Sequence, residues 1–498
     1  MDARRASALP WWLGVSGVLF AILATANAAG YRFGASDQAF YIPVVEHALD
    51  PAAFPRDGAM LDAQGRHMLL DEFLAWTIRT TGVPMELLFF AGYLLSLALL
   101  WAGLLLIGTR IYDNPWLIAA LAAAFTMRHR IPRTSANSFE PYFHPRMLAF
   151  ALGLLAAAAV LRRRSWSAIA LVGVAAIVHI TTAMWFAVML GVALLILDRR
   201  VRVLGVAALV AAAIAGTWAL STGAIAEAFA PMDAPWLQAL ASKDSLFATE
   251  WPLWAWAANF AFLGLLWWAH RRRVGAGAAT AEDAALVWGA TAVTGVFVLT
   301  LPLVAYAAAL PVQLQISRVF WLVDVVALIY VIDALARARV NPRHLALGLL
   351  LFSVVRGGYI MLVERPERAL FAVHAVESPW EDAMRWIATQ PKDVQVLADP
   401  GHAWKYGTSV RAAAARDVFL EEVKDSALAI YSRDVALRVL GRTGAIGDFG
   451  ALTAERAEAL ARQYDIDYLV TEAEMPSLPL AYRNARFRVY ALSAPLDK

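Results

Sequence analysis

Cysteine is absent from the 498-residue chain. Its absence excludes disulfides, thiolate nucleophiles, iron–sulfur clusters and cysteine-based zinc sites. Charge is scarce as well. Asp, Glu, Lys and Arg make up 17% of the residues, against about 25% in an average soluble domain. The formal net charge of +3 is too small over this length to draw nucleic acid. No HExxH, Walker-type GK[ST], GxSxG or dinucleotide GxGxxG pattern stands in a fitting context. No motif therefore calls for a metal or a nucleotide. Internal repeats and low-complexity tracts are also missing, apart from alanine-rich apolar runs.

What fills the chain instead is apolar surface: 60% of residues are hydrophobic and the mean hydropathy is +0.56. A membrane span needs roughly 20 apolar residues. Eleven segments qualify as candidates: 10–30, 85–107, 115–127, 146–161, 165–178, 183–197, 201–220, 251–268, 285–303, 317–336 and 345–363. The runs between 115 and 197 are short and are expected to be tilted, re-entrant or sheltered. The first run lacks a small-residue cleavage site before Tyr31-Arg32 and is expected to be a retained helix. Nineteen tryptophans, many near run ends, suit interfacial anchoring.

With the N-terminus in the cytoplasm, the basic clusters fall mostly inside: Arg4-Arg5, Arg110, Arg162–Arg164, Arg199-Arg200, Arg271–Arg273 and Arg337. Arg128, Arg130 and Arg133 are the exception. The positive-inside rule thus supports eleven spans with the C-terminus outside. Residues 364–498 are too polar to span. Helical patterns over 378–390, 426–440 and 453–463, with strands over 393–398, 465–471 and 487–492, predict a small α/β domain there. The expected fold is an α-helical polytopic membrane protein of about 11 spans. Residues 1–363 form its transmembrane domain and 364–498 an extracytoplasmic α/β domain. The first outer loop, 31–84, is expected to carry two interfacial helices. One is capped by Ser36 and runs to Leu49; the other spans 71–80 with Phe73, Leu74 and Trp76 on its apolar side.

Polar residues of unusual placement gather on the outer side. Arg146 follows His144-Pro145 in the first turn of an apolar helix, and Arg318 opens a later one. Both oppose the positive-inside bias and sit where the helix dipole disfavours a cation. A bound anion would reverse that argument, since helix N-termini and guanidinium forks both favour phosphate; snorkelling to headgroups is the plainer alternative. Asp37, just beyond the first helix, can act as a general base for an acceptor hydroxyl or serve as a helix-start aspartate. Glu46 and Asp57 stand in reserve. His179 with Thr181 and Thr182 forms an outer turn able to bind phosphate or sugar, or to serve structure alone. Glu140 and His144 lie in another outer loop. Asp324 is an intramembrane acid in need of a partner.

This layout resembles the GT-C superfamily of polytopic glycosyltransferases, most closely its bacterial members. The residues that carry the resemblance are the acid-bearing first outer loop with Asp37, HPR at 144–146, HITTAMWF at 179–186 and Arg318 opening a late helix. WEDAMRWI at 380–387, YDIDYLV at 464–470 and FRVYAL at 487–492 match the soluble part. The resemblance implies a polyprenyl-phosphate-linked sugar as donor, an extracytoplasmic acceptor and a bacterial inner-membrane setting. It implies catalysis by Asp37 and contact of Arg146 and Arg318 with the lipid phosphate. His144, His179, Thr182 and Glu140 are expected beside them as substrate-binding residues. No paired Asp-Asp or Glu-Asp follows the first helix and no WWD-type motif stands in the tail, so an oligosaccharyltransferase-like activity is not implied, and a divalent metal is left open. A transporter of lipid or polysaccharide precursors, with Asp324 and Glu227 lining a path, and a non-catalytic assembly protein are the alternatives from other classes.

Overall fold

A computed structural model of the chain describes residues 11–65, 69–223 and 225–492. Arg4-Arg5, used above to read orientation, lie outside the described residues. The helices are α1 Trp11–Asn27, α2 Gln38–Leu49, α3 Gly58–Gly65, α4 Leu70–Thr81, α5 Met85–Ile111, α6 Pro115–Phe125, α7 Pro145–Val160, α8 Ser165–Val178, α9 Ile180–Leu197, α10 Arg199–Ser221 and α11 Ala234–Ala239. They continue as α12 Leu253–Gly275, α13 Ala281–Ala305, α14 Ala309–Gln313, α15 Val319–Arg337, α16 Pro342–Tyr359, α17 Pro379–Ala388, α18 His402–Tyr406, α19 Val410–Ala414, α20 Glu422–Leu428, α21 Arg433–Ile446 and α22 Ala454–Tyr464.

Each of the eleven apolar segments lies on a helix. Six helical stretches among the described residues are long and apolar enough to cross a membrane: Met85–Ile111, Ile180–Leu197, Arg199–Ser221, Ala281–Ala305, Ala309–Arg337 and Pro342–Glu364. Four more are apolar but shorter: Gly14–Asn27, Pro115–Phe125, Pro145–Val160 and Ser165–Val178. Their starts follow side-chain chemistry. Asn114 caps α6 ahead of Pro115, Asp198 caps α10, Thr280 and Asp283 form a capping box on α13, and Asn341 caps α16 ahead of Pro342. Each cap satisfies backbone N–H groups that the first turn leaves without partners.

Contacts divide the chain into two compact units. The first comprises Met1–Tyr31, Ala91–Ala230 and Asp244–Phe371; the second comprises Arg32–Phe90, Pro231–Lys243 and Ala372–Lys498. Within the first, α7, α8 and α9 form a tight up-down-up hairpin stack, so α7 and α9 begin at the same end. Gly153 of α7 makes this possible: a Cβ there would come within 2.3 Å of the Phe186 ring on α9. Gly289 of α13 meets the Met189 carbonyl of α9 just as closely, at 2.1 Å from a would-be Cβ. At the far end of α7 the basic clusters find acids. Arg273 donates to Asp283 (2.9 Å) and Asp333 (3.0 Å), Arg337 donates to Asp333 (2.7 Å), and Glu282 takes Arg110 and Arg163. Tyr330 donates to the remaining oxygen of Asp283 at 2.9 Å.

The second unit is built on a five-stranded sheet in the order Asp417–Val418, Gln395–Leu397, Tyr468–Thr471, Arg488–Ala491, Leu480–Arg483. The first two pairings are parallel and the last two antiparallel. Helix α17 lays Trp380, Ala383, Met384 and Ile387 on Val396, Val470 and Val489 of the sheet, the i, i+3, i+4, i+7 stripe of an amphipathic helix. Residues of the first outer loop belong to this unit because a buried ion network holds them there. Arg411 donates to Asp57 (2.6 Å) and to both oxygens of Asp425 (2.7 and 3.2 Å), Arg438 also reaches Asp57, and the backbone N–H of Asp57 donates to Asp417 (3.0 Å).

Several local expectations shift. Helix α2 starts one residue later than a Ser36 cap would set it: Ser36 takes a left-handed backbone (φ 55°) and Asp37 occupies the cap position. The segment 426–440 is two helices, α20 and α21, because Ser432 caps a new one through the Val435 N–H. The strands Asp417–Val418 and Leu480–Arg483 were not legible, being short and lacking alternation.

Glu421 is fully buried beside this network, 3.8 Å from an Arg411 nitrogen. Burial pushes its carboxyl from 4.5 up to about 7, against the pull of Arg411. The folded chain therefore holds this proton more tightly than the unfolded one. Stability is fully present below the unfolded value and is lost as pH rises towards about 7. Glu421→Gln keeps the neutral form, so it should raise the melting midpoint of the full-length protein near pH 8 and leave it unchanged below about pH 4, under the unfolded value. Equal midpoints for variant and wild type at the higher pH contradict this assignment.

Candidate functional site

The most densely functional region of the first unit lies at the N-terminal ends of α7 and α9. His144 caps α7: the Arg146 backbone N–H donates to its Nδ1 at 3.0 Å, and Pro145 fills the first helical position, where no N–H is needed. His179 caps α9 in the same manner. Its Nδ1 accepts from the Thr182 backbone N–H (3.3 Å), with the hydroxyl oxygens of Thr182 (3.0 Å) and Thr181 (3.2 Å) beside it. An imidazole that accepts at Nδ1 carries its proton on Nε2. Both rings thus carry their proton on Nε2, and their centroids stand 6.3 Å apart.

Arg146 is buried, with 4% exposure, and its guanidinium carbon lies 5.8 Å from the Trp321 ring centroid. Trp321 is itself stacked on Phe150 at 3.8 Å. Arg318 ends a tight turn, Ile316–Arg318, that leads into α15. Its charge and that of Arg146 both act on His179. Burial first, then His144, Arg146 and Arg318, hold the His179 pKa well below the usual histidine value. The charges of both arginines, 172 positions apart in the chain, thus act on one imidazole.

Glu140 plays a part that sequence alone did not reveal. One of its oxygens accepts from Arg146 (3.1 Å) and Asn137 (2.9 Å), and the other accepts from Arg128 (2.9 Å). Fixed in this way, it sets where the Arg146 fork points. Arg128 is tied further to the Phe139 carbonyl (2.9 Å), and its own carbonyl accepts from Arg356 (3.2 Å). Next to it, His129 answers the question of the Asp324 partner. Its Nε2 donates to Asp324 at 2.8 Å and its Nδ1 donates to the Met127 carbonyl at 3.3 Å. Burial works against a proton on His129, but the hydrogen bond and charge of Asp324 prevail and raise its pKa. Asp324 is thus half of an ion pair, and Glu227 lies in a separate short turn, Glu227–Phe229.

Asp37 belongs to the second unit. It stands at the cap position of α2 without capping it; its carboxylate takes the Lys424 ammonium at 2.6 Å instead. Lys424 is buried, and Lys243, which donates to the Val423 carbonyl at 3.1 Å, shares the neighbourhood. The two reserve acids are differently placed. Asp57 is consumed by Arg411 and Arg438, which overcome burial and hold it at about 2. Burial and then Glu86 push Glu46 well above the usual carboxylate range, which works against the ionised form a base needs. Groups of three or more metal-ligating side chains are not found among the described residues.

If Glu140 orients Arg146, its loss leaves a buried guanidinium short of its carboxylate. Glu140→Ala should destabilise the protein by roughly 3–5 kcal/mol, the range for breaking a buried ion pair from one side, whereas Glu140→Gln should cost less. Chemical denaturation of the purified protein measures this, and a near-neutral Glu140→Ala would show that Arg146 does not depend on the clamp. No family model and no curated protein matches the chain.

Proposed function

We propose that the chain is a membrane glycosyltransferase that moves a sugar from a polyprenyl-phosphate carrier to an extracytoplasmic acceptor. The observation that carries this reading is the pair of histidine-capped helix starts with rings 6.3 Å apart, Arg146 in the first turn of one of them and the Arg318 charge acting on His179. Helix N-termini, guanidiniums and neutral imidazole donors all favour an oxyanion. In this reading the eleven apolar helices cross a bacterial inner membrane, the N-terminus is cytoplasmic, and the helix starts bearing His144 and His179 face outward. The anion is then the phosphodiester of the carrier.

The reaction is a displacement at the anomeric carbon. The acceptor oxygen forms a bond to that carbon, and the bond from carbon to phosphate oxygen breaks. Charge released onto the departing polyprenyl phosphate is met by donors already in place, which is where fixed dipoles stabilise a transition state most. The acceptor proton passes to Asp37. Glu140 serves as a positioning residue through Arg146.

Arg146→Lys and Arg318→Lys keep the charge and lose the planar fork. Each should weaken carrier binding roughly 10-fold, about the worth of one charge-assisted hydrogen bond. Because the His179 pKa is held well below the usual value and a phosphodiester keeps one charge, protonation of this ring should add no rise in affinity between about pH 8 and about pH 6. Binding of a polyprenyl-phosphate sugar to the reconstituted protein measures both. Unchanged affinity in the lysine variants, or affinity that climbs as pH falls, contradicts the phosphate role.

Asp37→Asn should lower transfer by about 10²–10⁴-fold, the usual reach of a general base, with carrier affinity retained. It also strips Lys424 of its partner, so the double variant Asp37→Asn with Lys424→Met separates loss of the base from loss of fold. Normal turnover in either variant would reduce Asp37 to a structural ion-pair residue.

A further inference from the structure

We propose that the exposed stripe Leu69–Phe73–Trp76 of α4 is a lipid-docking face, seated at the boundary between headgroups and acyl chains; this rests on the membrane setting of the preceding reading. The three side chains are 61%, 56% and 58% exposed. Their i, i+4, i+7 spacing places them along one side of the helix. The sequence pattern grouped Leu74 with Phe73 and Trp76, but the structure splits the group. Leu74 and Ala75 are buried together with Asp71 on the side that packs against α2, and Phe73 and Trp76 turn away.

The stripe is held in place. Arg79 folds back onto the Ala48 carbonyl near the end of α2, which fixes the helix from its buried side. Phe73 and Trp76 lie with ring centroids 6.0 Å apart, forming one continuous aromatic surface. The unit's other well-exposed large apolar side chains, Leu87, Val376, Trp404, Leu437 and Leu480, are far apart in sequence.

Chain continuity selects lipid as the occupant. Gly82, in the left-handed conformation (φ 68°), ends α4 by donating its N–H to the Ile78 carbonyl at 2.9 Å. Val83 and Pro84 follow, and α5 begins at Met85 as the longest apolar helix before residue 200, 27 residues in all. Three linking residues reach at most about 11 Å. The end of α4 is therefore tethered within one to two interfacial layers, each roughly 5–8 Å thick, of the start of α5. An aromatic stripe without charge at that height is the pattern of an interfacial helix, with tryptophan at headgroup level.

The absence of cysteine makes the test direct. Single cysteines at Phe73→Cys and Trp76→Cys, labelled with an environment-sensitive fluorophore, are compared in full-length protein in lipid nanodiscs. Trp404→Cys serves as an aqueous reference and Leu209→Cys on α10 as a span reference. Labels at 73 and 76 should be quenched by a quencher on the acyl chain near the headgroup, and quenched by iodide several-fold less than at 404. Iodide access equal to that at 404 overturns the proposal. Protection from both quenchers also overturns it, because a protein surface then covers the stripe. A label at 209 that the lipid-borne quencher misses would show instead that the membrane reading itself has failed.

Discussion

A histidine that accepts a backbone N–H at Nδ1 has one nitrogen left for its proton. His144 and His179 both obey that constraint, because each is the cap of an apolar helix and each helix needs its first N–H groups satisfied. Capping therefore does more than start α7 and α9. It fixes two tautomers and presents two Nε2–H donors at neighbouring helix ends. The rest of the site follows from bringing those ends together. Gly153 lets the helices approach, Trp321 and Phe150 provide a flat apolar surface under Arg146, and Glu140 sets the direction of the guanidinium.

Buried charge elsewhere in the molecule is also clustered. Arg273 is held by two carboxylates, Asp283 and Asp333, and Arg411 by Asp57 and Asp425. Those clusters join distant segments of one unit, and removing a member would strand a buried charge. Glu140 likewise receives two arginines, Arg128 and Arg146, as Glu282 receives Arg110 and Arg163, and it sets the direction of both.

Much of this was legible from residues. Apolar runs and their caps gave the helices, and His144-Pro145-Arg146 was readable as a helix start because each residue type suits its position there. The conflict between Arg146 or Arg318 and the dipole pointed to a shared site, and both charges lower the His179 pKa. The partners were not legible. Nothing local ties Asp37 to Lys424, 387 positions away, or Asp324 to His129, 195 positions away. The ion network that takes Asp57 into the second unit was equally hidden, because long-range pairing of scattered charges leaves no periodic signal. Short strands such as Asp417–Val418 escaped for the same reason.

The most direct measurement is a structure of the protein in nanodiscs with a polyprenyl-phosphate-linked sugar bound. The account predicts the phosphodiester against the Arg146 and Arg318 guanidiniums, with the Nε2 atoms of His144 and His179 turned towards it. A carrier phosphate seated elsewhere, with these four side chains out of its reach, would contradict it.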